Sequence, residues 1–397
     1  MKKVPSGLVA QLVEQSPEKA CVAGSIPAQT TILMKKFSIF RLIKIFFKKT
    51  YKKIVEYFFI VLYGRIYLFD VHDKNFLNKK EIVINKVTYS VFKIIHGRLY
   101  TDQVSNVAYI NNKNIISGPS IQFKDNILSD VSNNVVLKSG TKRFVKKIKG
   151  KVLSILTGGG GNNNYWHWLF DALPRIFLYE KFYTLKKLDK ILVPNLREKF
   201  QVETLFNLSI KNKRIIVAND HRHIAAKELY ATSHPNISNL ERVPLWIITS
   251  LRERFIKKKI QIKKFDKIYI DRSDSKSNVK NFRKIINEKE IINFLISKEF
   301  RIIKLSEFSF LEQVSIFNNA KYIIGLHGAG FANLVFCKKN TNILEIKPKK
   351  AGNIIKNLSI DTNLRYSSID LNPLDNPIAR QFGSLYLPLK TLKFFLK

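Results

Sequence analysis

Apolar positions change their period twice along the chain. Between Met34 and Arg65 they recur at helical spacing, with Phe40, Ile43, Phe47, Tyr51, Ile54 and Phe58 on one face and Arg41, Lys44, Lys48 and Lys52 on another. Residues 66 to about 150 instead carry short β-rich runs, EIVINKVTYSVFKII, VAYINNKNIISGPSIQF and NNVVLKSG, broken by turn residues. That pattern predicts an irregular or antiparallel β-rich lead-in. Beyond it, strand-like runs alternate with helical ones: KVLSIL, DKILVP, RIIVAN and ELYATS, then, after the helix LWIITSLRERFIKK, KIYID, FRIIK, YIIGL and NILEI. Alternation of this kind predicts an α/β fold built on parallel strands. Asn287 with Glu290 and Ser309 with Glu312 have capping-box spacing and mark two helix starts.

The pattern divides the chain into 34–65, 66–242, 243–372 and a tail over 373–397. The tail reads either as a helix returning to the first α/β stretch or as a second membrane contact. Residues 1–33 stand apart, because VAQLVEQSPEKACVAGSIPAQT lacks the Lys, Ile and Phe bias of everything after it. They resemble the conceptual translation of a transfer-RNA gene, so the start is expected at Met34.

Charge changes the picture less than its size suggests. The 397 residues carry a formal charge of +39, but 53 of the 69 basic residues are Lys and only 16 are Arg. With abundant Ile and Asn, this fits AT-rich coding. No basic base-reading helix, zinc-finger spacing or aromatic ribonucleoprotein motif occurs, so specific nucleic-acid binding is not expected. Such a field still attracts anionic membranes and anionic substrates. Residues 34–65 hold nine basic side chains against Glu56, the form of a helix lying on a membrane surface or of one packed on its own domain. Their longest uncharged apolar run, Tyr57 to Gly64, is far shorter than the ~20 residues that span a bilayer. Cys21 and Cys337 have no metal-ligand spacing and form no disulfide framework, which fits a reducing, cytoplasmic compartment.

Three segments can carry chemistry. In GGGGNNNYWHWLFDALPRIFLYE, Asn164 can cap a helix on which His167, Asp171 and Arg175 recur every four residues, among Trp166, Trp168 and aliphatic neighbours. Polar groups lined up on an apolar helix either pair with one another or face a cleft, where an imidazole and a carboxylate can move a proton. The glycines before them lack the Walker and GxGxxG patterns and read as a flexible cleft edge. In YIIGLHGAGFANL, a strand ends at His327, and Gly328, Ala329 and Gly330 open a helix whose N–H groups could face an anion. Arg272 directly follows the strand KIYID, and Arg283 precedes a capped helix, as expected of guanidinium groups that bind phosphate oxygens. Asp271 and Asp274 do not form a DxD motif, and DHRH at 220–223 with His234 lacks a well-spaced third ligand, so no metal is expected.

The strings NYWHWLFDALPRI, YIDR followed by RKIINE, SFLEQVSIFNNAKYIIGLHGAGFANLVF and ILEIKP occur in the order found in the family 61 glycosyltransferases, which this chain resembles over roughly 150–350. Bacterial members of that family serve capsular, O-antigen and other surface polysaccharide assembly. The resemblance implies two Rossmann-like domains facing a cleft, a GT-B-like arrangement, with the acceptor on 66–242 and the nucleotide sugar on 243–372. It implies inverting transfer from a nucleotide-sugar donor, UDP-linked in the first instance, to a glycan or lipid-linked glycan, with no metal or other cofactor. Carried over by position, Arg272, Arg283, His327, Gly328, Ala329 and Gly330 line the diphosphate, Asn333 supports their loop and Glu345 meets the ribose hydroxyls. Asp171 is the first choice of base, with His167 orienting it or replacing it. Asn164, Trp168 and Arg175 line the acceptor side of the cleft. The rival readings are a non-catalytic glycan-binding or scaffold protein on the same fold and an RNA-binding protein using its charge.

Overall fold

The computed structural model describes residues 28–68, 76–102, 106–124, 127–129, 131–158, 163–236, 241–275, 283–375 and 381–396. Residues 1–27, most of the stretch set apart at the N-terminus, lie outside them, as do Gly159, Gly160 and Gly161 of the glycine run. The first helix, α1, covers Ala28–Tyr63 and so begins ahead of Met34.

Four parallel strands organise the first sheet: β1 (Lys146–Ser154), β2 (Lys190–Val193), β3 (Ile215–Val217) and β4 (His223–Thr232). They lie in the order β3-β2-β1-β4. The β-rich lead-in is not a separate unit, because its strands continue this sheet. Val87–Ile95 and Arg98–Thr101 pair antiparallel with the free edge of β4, and Leu77–Ile84 and Asn106–Asn111 follow outside them. The outermost hairpin turns through Asn85 and Lys86, both left-handed at φ 51° and 64°, a two-residue turn whose twist matches its strands.

The second sheet is wholly parallel: β5 (Lys267–Asp271), β6 (Arg301–Lys304), β7 (Tyr322–Leu326), β8 (Asn342–Pro348) and β9 (Arg365–Leu371), in the order β6-β5-β7-β8-β9. Each sheet therefore reverses its direction of winding once, between β1 and β4 in the first and between β5 and β7 in the second. Crevices form where winding reverses, beyond the carboxyl ends of the strands, and open α/β sheets bind ligands there.

Strands buried on both faces need apolar residues at consecutive positions, and these strands have them. Leu153, Ile191 and Val193 of the first sheet and Ile268, Ile270, Ile303, Ile323 and Ile343 of the second belong to one contiguous apolar cluster. Two helices close it, the connector α3 (Leu245–Phe255) and α5 (Phe310–Asn319), together with the composite helix 165–180, called α2. The opposite face of the first sheet packs against the lead-in, and that of the second against α4 (Glu288–Ser297) and the C-terminal tail.

Two expectations need correction. Ser309 and Glu312 form the reciprocal capping box, but Asn287 caps nothing. Its side chain instead exchanges hydrogen bonds with the backbone of Leu387, fastening α4 to the tail. That tail returns to the second sheet: Ser384–Leu385 pairs with Lys284–Ile285, and Leu385, Leu387 and Leu392 enter its core.

Phe310 sits edge-on to Phe255 at 4.8 Å and to Phe336 at 5.8 Å, fully buried where α3 meets the second sheet. Phe310→Ala should cost about 3–5 kcal/mol in urea unfolding, with both halves still melting in one transition. A loss below about 1 kcal/mol, or two separate transitions, would contradict a shared core.

Candidate active site

The first reversal point holds the middle of α2. Asn164 caps that helix, its Oδ1 accepting from the N–H groups of Trp166 (2.9 Å) and His167 (3.4 Å). Pro174 has no N–H to give one turn back, and the chain answers with a π-helical stretch over Trp168–Ala172, in which the Leu173 N–H reaches the Trp168 carbonyl. The wider turn changes which side chains share a face. His167 stays half-exposed, whereas Arg175 turns wholly into the core. There its Nε donates to the Asp171 carbonyl (3.1 Å) and its Nη1 to the carbonyl and hydroxyl of Thr232, at the end of β4. Arg175 is thus a buried strut beside Asp171 and does not line a cleft. Trp168 is equally removed, fully buried with its indole N–H on Thr204 Oγ1 at 2.9 Å.

What remains at this edge is a dyad. His167 Nδ1–H donates to Asp171 Oδ2 at 2.6 Å, which fixes the ring and turns Nε2 away from the carboxylate. The His167 side chain is 43% exposed and that of Asp171 15%. Burial works against charge on both. It is outweighed on His167 by the hydrogen bond to Asp171 and that residue's charge, which hold the imidazole above its ordinary pKa. On Asp171 it is outweighed by the bond from His167 and the charges of His234, His167 and Arg175, which hold the carboxyl below its ordinary value. His234, just past β4, is buried and pushed down to about 4, chiefly by that burial. His223 of the DHRH segment lies far down β4 in the core, with its Nδ1 at the Arg143 carbonyl.

The second reversal point is cationic. Arg272 follows the end of β5 and donates from Nη1 to the carbonyl of His327, the residue just after β7. Gly328 next to it is extended (φ 164°), and a Cβ there would stand 2.2 Å from Arg272 Nη1. The glycine therefore makes room for a guanidinium of the protein itself, where the sequence reading expected it to make room for a ligand. Arg283 donates to the Gln381 carbonyl and lies over the Phe382 ring at 5.5 Å. Burial, and then the charge of Arg272, push its pKa down to about 9. Two mutually repelling guanidinium groups are the electrostatic form of an anion site.

Behind them, His327 Nδ1–H donates to Glu345 Oε1, and the Tyr366 hydroxyl donates to Glu345 Oε2 at 2.6 Å. Glu345 is fully buried with both oxygens engaged, so it braces His327 from below and offers no oxygen to a ribose. After Gly328 the chain forms a 3-10 helix over Ala329–Phe336, in place of the expected α-helix. Asn333 secures it, with Nδ2 donating to Gln313 Oε1 (3.0 Å) and the Gly330 carbonyl (3.3 Å). Its Oδ1 accepts from the Tyr165 hydroxyl at 2.7 Å, which links this loop to the start of α2.

Tyr165, Tyr366 and Gln313 are the residues that sequence reasoning missed, and His234 was weighed there only as a metal ligand. Only Tyr165 carried a signal, since it adjoins Asn164 inside the motif. Lys347, two residues beyond Glu345 and 4% exposed, adds a buried cation at this edge, with Nζ 3.5 Å from Asn353 Oδ1. Among the described residues, no cluster of three His, Cys, Asp or Glu side chains comes together that could hold a metal ion.

Residues 165–344 match the family model described as Glycosyltransferase 61. The match runs from Tyr165 to the residue before Glu345, so it takes in the dyad, both arginines and the His327 loop. It supports the resemblance read from the motifs. No curated protein matches the chain.

The dyad makes a direct prediction. His167 should titrate above 6.5 by NMR in the native protein, and below 6.5 in Asp171→Asn, where burial acts with nothing charged to oppose it. Equal values in the two proteins would mean that the pair does not form in solution.

Proposed function

We propose that the protein is a glycosyltransferase that moves a sugar from a nucleotide-diphosphate donor to a hydroxyl of a glycan. One observation carries the reading: a His–Asp dyad and a pair of arginines, each at the reversal point of its own sheet, are joined by the Tyr165–Asn333 hydrogen bond. Displacement of a diphosphate needs these two kinds of group and needs them held apart.

In this mechanism the acceptor hydroxyl gives its proton to His167 Nε2 as its oxygen forms the new bond to the anomeric carbon. The bond from that carbon to the diphosphate oxygen breaks, and the electron pair leaves with the diphosphate. Negative charge grows there in the transition state, where fixed donors act most strongly. Arg272 and Arg283 are the groups for it, with His327 held beside them by Glu345. Attack opposite the leaving group inverts the anomeric carbon. Exposure favours His167 over Asp171 as the base, since the shielded carboxylate already holds the ring proton. Asp171 then orients the imidazole and stabilises its charged form, as a carboxylate does in a catalytic triad.

The finer assignments rest on the family resemblance alone: two Rossmann-like halves of GT-B type, a UDP-linked hexosyl or pentosyl donor, and a lipid-linked acceptor in capsule, O-antigen or similar surface polysaccharide assembly.

The test is a thermal-shift screen of the full chain against nucleotide sugars, followed by transfer assays with the donor found. A specific donor at about 100 times its Kd should stabilise the fold by about 2.7 kcal/mol. Arg272→Ala should remove that stabilisation and lower kcat about 10²–10³-fold. His167→Asn should keep donor binding and lower transfer about 10²–10⁴-fold. Donor binding with no transfer to any acceptor would favour the non-catalytic reading. A base acts deprotonated, so kcat/KM should be low in acid and rise with pH through the elevated pKa of His167. Full activity at pH 5 would give the proton to Asp171 instead.

A further inference from the structure

The sequence pattern of α1 left open whether its apolar face packs on the protein or points away, and the side chains of residues 44–63 answer this. Its last turns are docked through one face. Glu56 receives Lys142 Nζ at 2.8 Å, Phe59 is buried edge-on against Phe144 at 5.1 Å, and the Tyr63 hydroxyl accepts from the Val145 N–H at 3.1 Å. On the opposite face Phe47, Tyr51, Ile54, Phe58 and Val61 form a continuous stripe, each between 52% and 70% exposed. Lys44, Lys48, Lys49, Lys52 and Lys53 lie along the rest of the helix, all exposed. The acid of this segment, Glu56, is already paired with Lys142.

We propose that this stripe seats the protein on an anionic membrane surface. Residues spaced 4-3-4-3, as these are, could also form the seam of a coiled coil with a second copy of the helix. Charge disfavours the copy, because pairing would set Lys44 and Lys48, which flank the stripe, against the same lysines of a second helix with no free acid beside them. An anionic bilayer offers the opposite charge to Lys44 and Lys48, whose long stems reach headgroups while the stripe between them enters the acyl boundary. No helix among the described residues is long and apolar enough to cross a membrane, so the fit is to lying on the surface. The docked face holds the α/β body on the solvent side of the stripe. This surface is remote from the transfer site and does not depend on the function proposed for it.

The test is flotation of the full chain with phosphatidylcholine vesicles, with and without phosphatidylglycerol. A protein of net charge +39 will be drawn to anionic vesicles by charge alone, so the informative variant leaves charge untouched. Phe47→Gln combined with Tyr51→Gln and Ile54→Gln alters exposed positions and keeps good helix formers. It should weaken binding to anionic vesicles at least about tenfold, with an unchanged far-UV circular dichroism spectrum. Tyr51→Trp should show a blue-shifted emission component that appears only with anionic vesicles. Unchanged flotation of the triple variant would reduce the attraction to general charge and overturn the proposal. So would a dimer in sedimentation equilibrium that the triple variant abolishes while vesicle binding persists.

Discussion

The two halves of this protein are held in register by the hydroxyl of Tyr165, which stands at the first turn of α2 and donates to Asn333 in the loop after β7. Both residues are tied on their far sides. Asn333 spends its amide N–H groups on Gln313 and Gly330, and Asn164 caps the turn that carries Tyr165. A hydrogen bond of this kind contributes only about 1 kcal/mol net, but an unpaired buried acceptor costs more than the bond gains. Its weight lies in geometry: it fixes the distance from the dyad to the arginines through a short chain of rigid groups.

Electrostatics at the two edges run in opposite senses. At the dyad, each partner stabilises the charged form of the other against burial, so the pair is matched within itself. At the arginines, burial and mutual repulsion disfavour charge, and the buried Glu345 offsets only part of that. The cationic edge is therefore the one that gains most from a bound anion. Gly328 is part of the arrangement, because any side chain there would occupy the place of the Arg272 guanidinium.

Much of this was legible in the sequence, and for identifiable reasons. Strand and helix alternation, the Asn164 cap and the Ser309 capping box follow from local chemistry, and local chemistry is what a sequence records. The pairing of His167 with Asp171 follows from their i,i+4 spacing. Arg175 has the same spacing and went elsewhere, because the π turn forced by Pro174 breaks the helical period that the spacing assumed. The fates of Trp168 and Glu345 were set by Thr204 and Tyr366, partners distant in sequence whose contacts no periodicity reveals. The lead-in strands looked independent because β4 joins them antiparallel, and a single run of apolar residues does not say which neighbour it will meet on each edge.

The continuous core between the sheets bears on how a substrate would enter and leave. Lobes separated by a solvent-filled gap can swing about a hinge, but lobes that share Ile247, Phe255, Phe310 and Phe317 would have to expose those side chains to do so. Gating by rigid-body opening is thus expensive here. A smaller movement would suffice at Arg283, where the short stretch at Gln381 and Phe382 lies against the guanidinium.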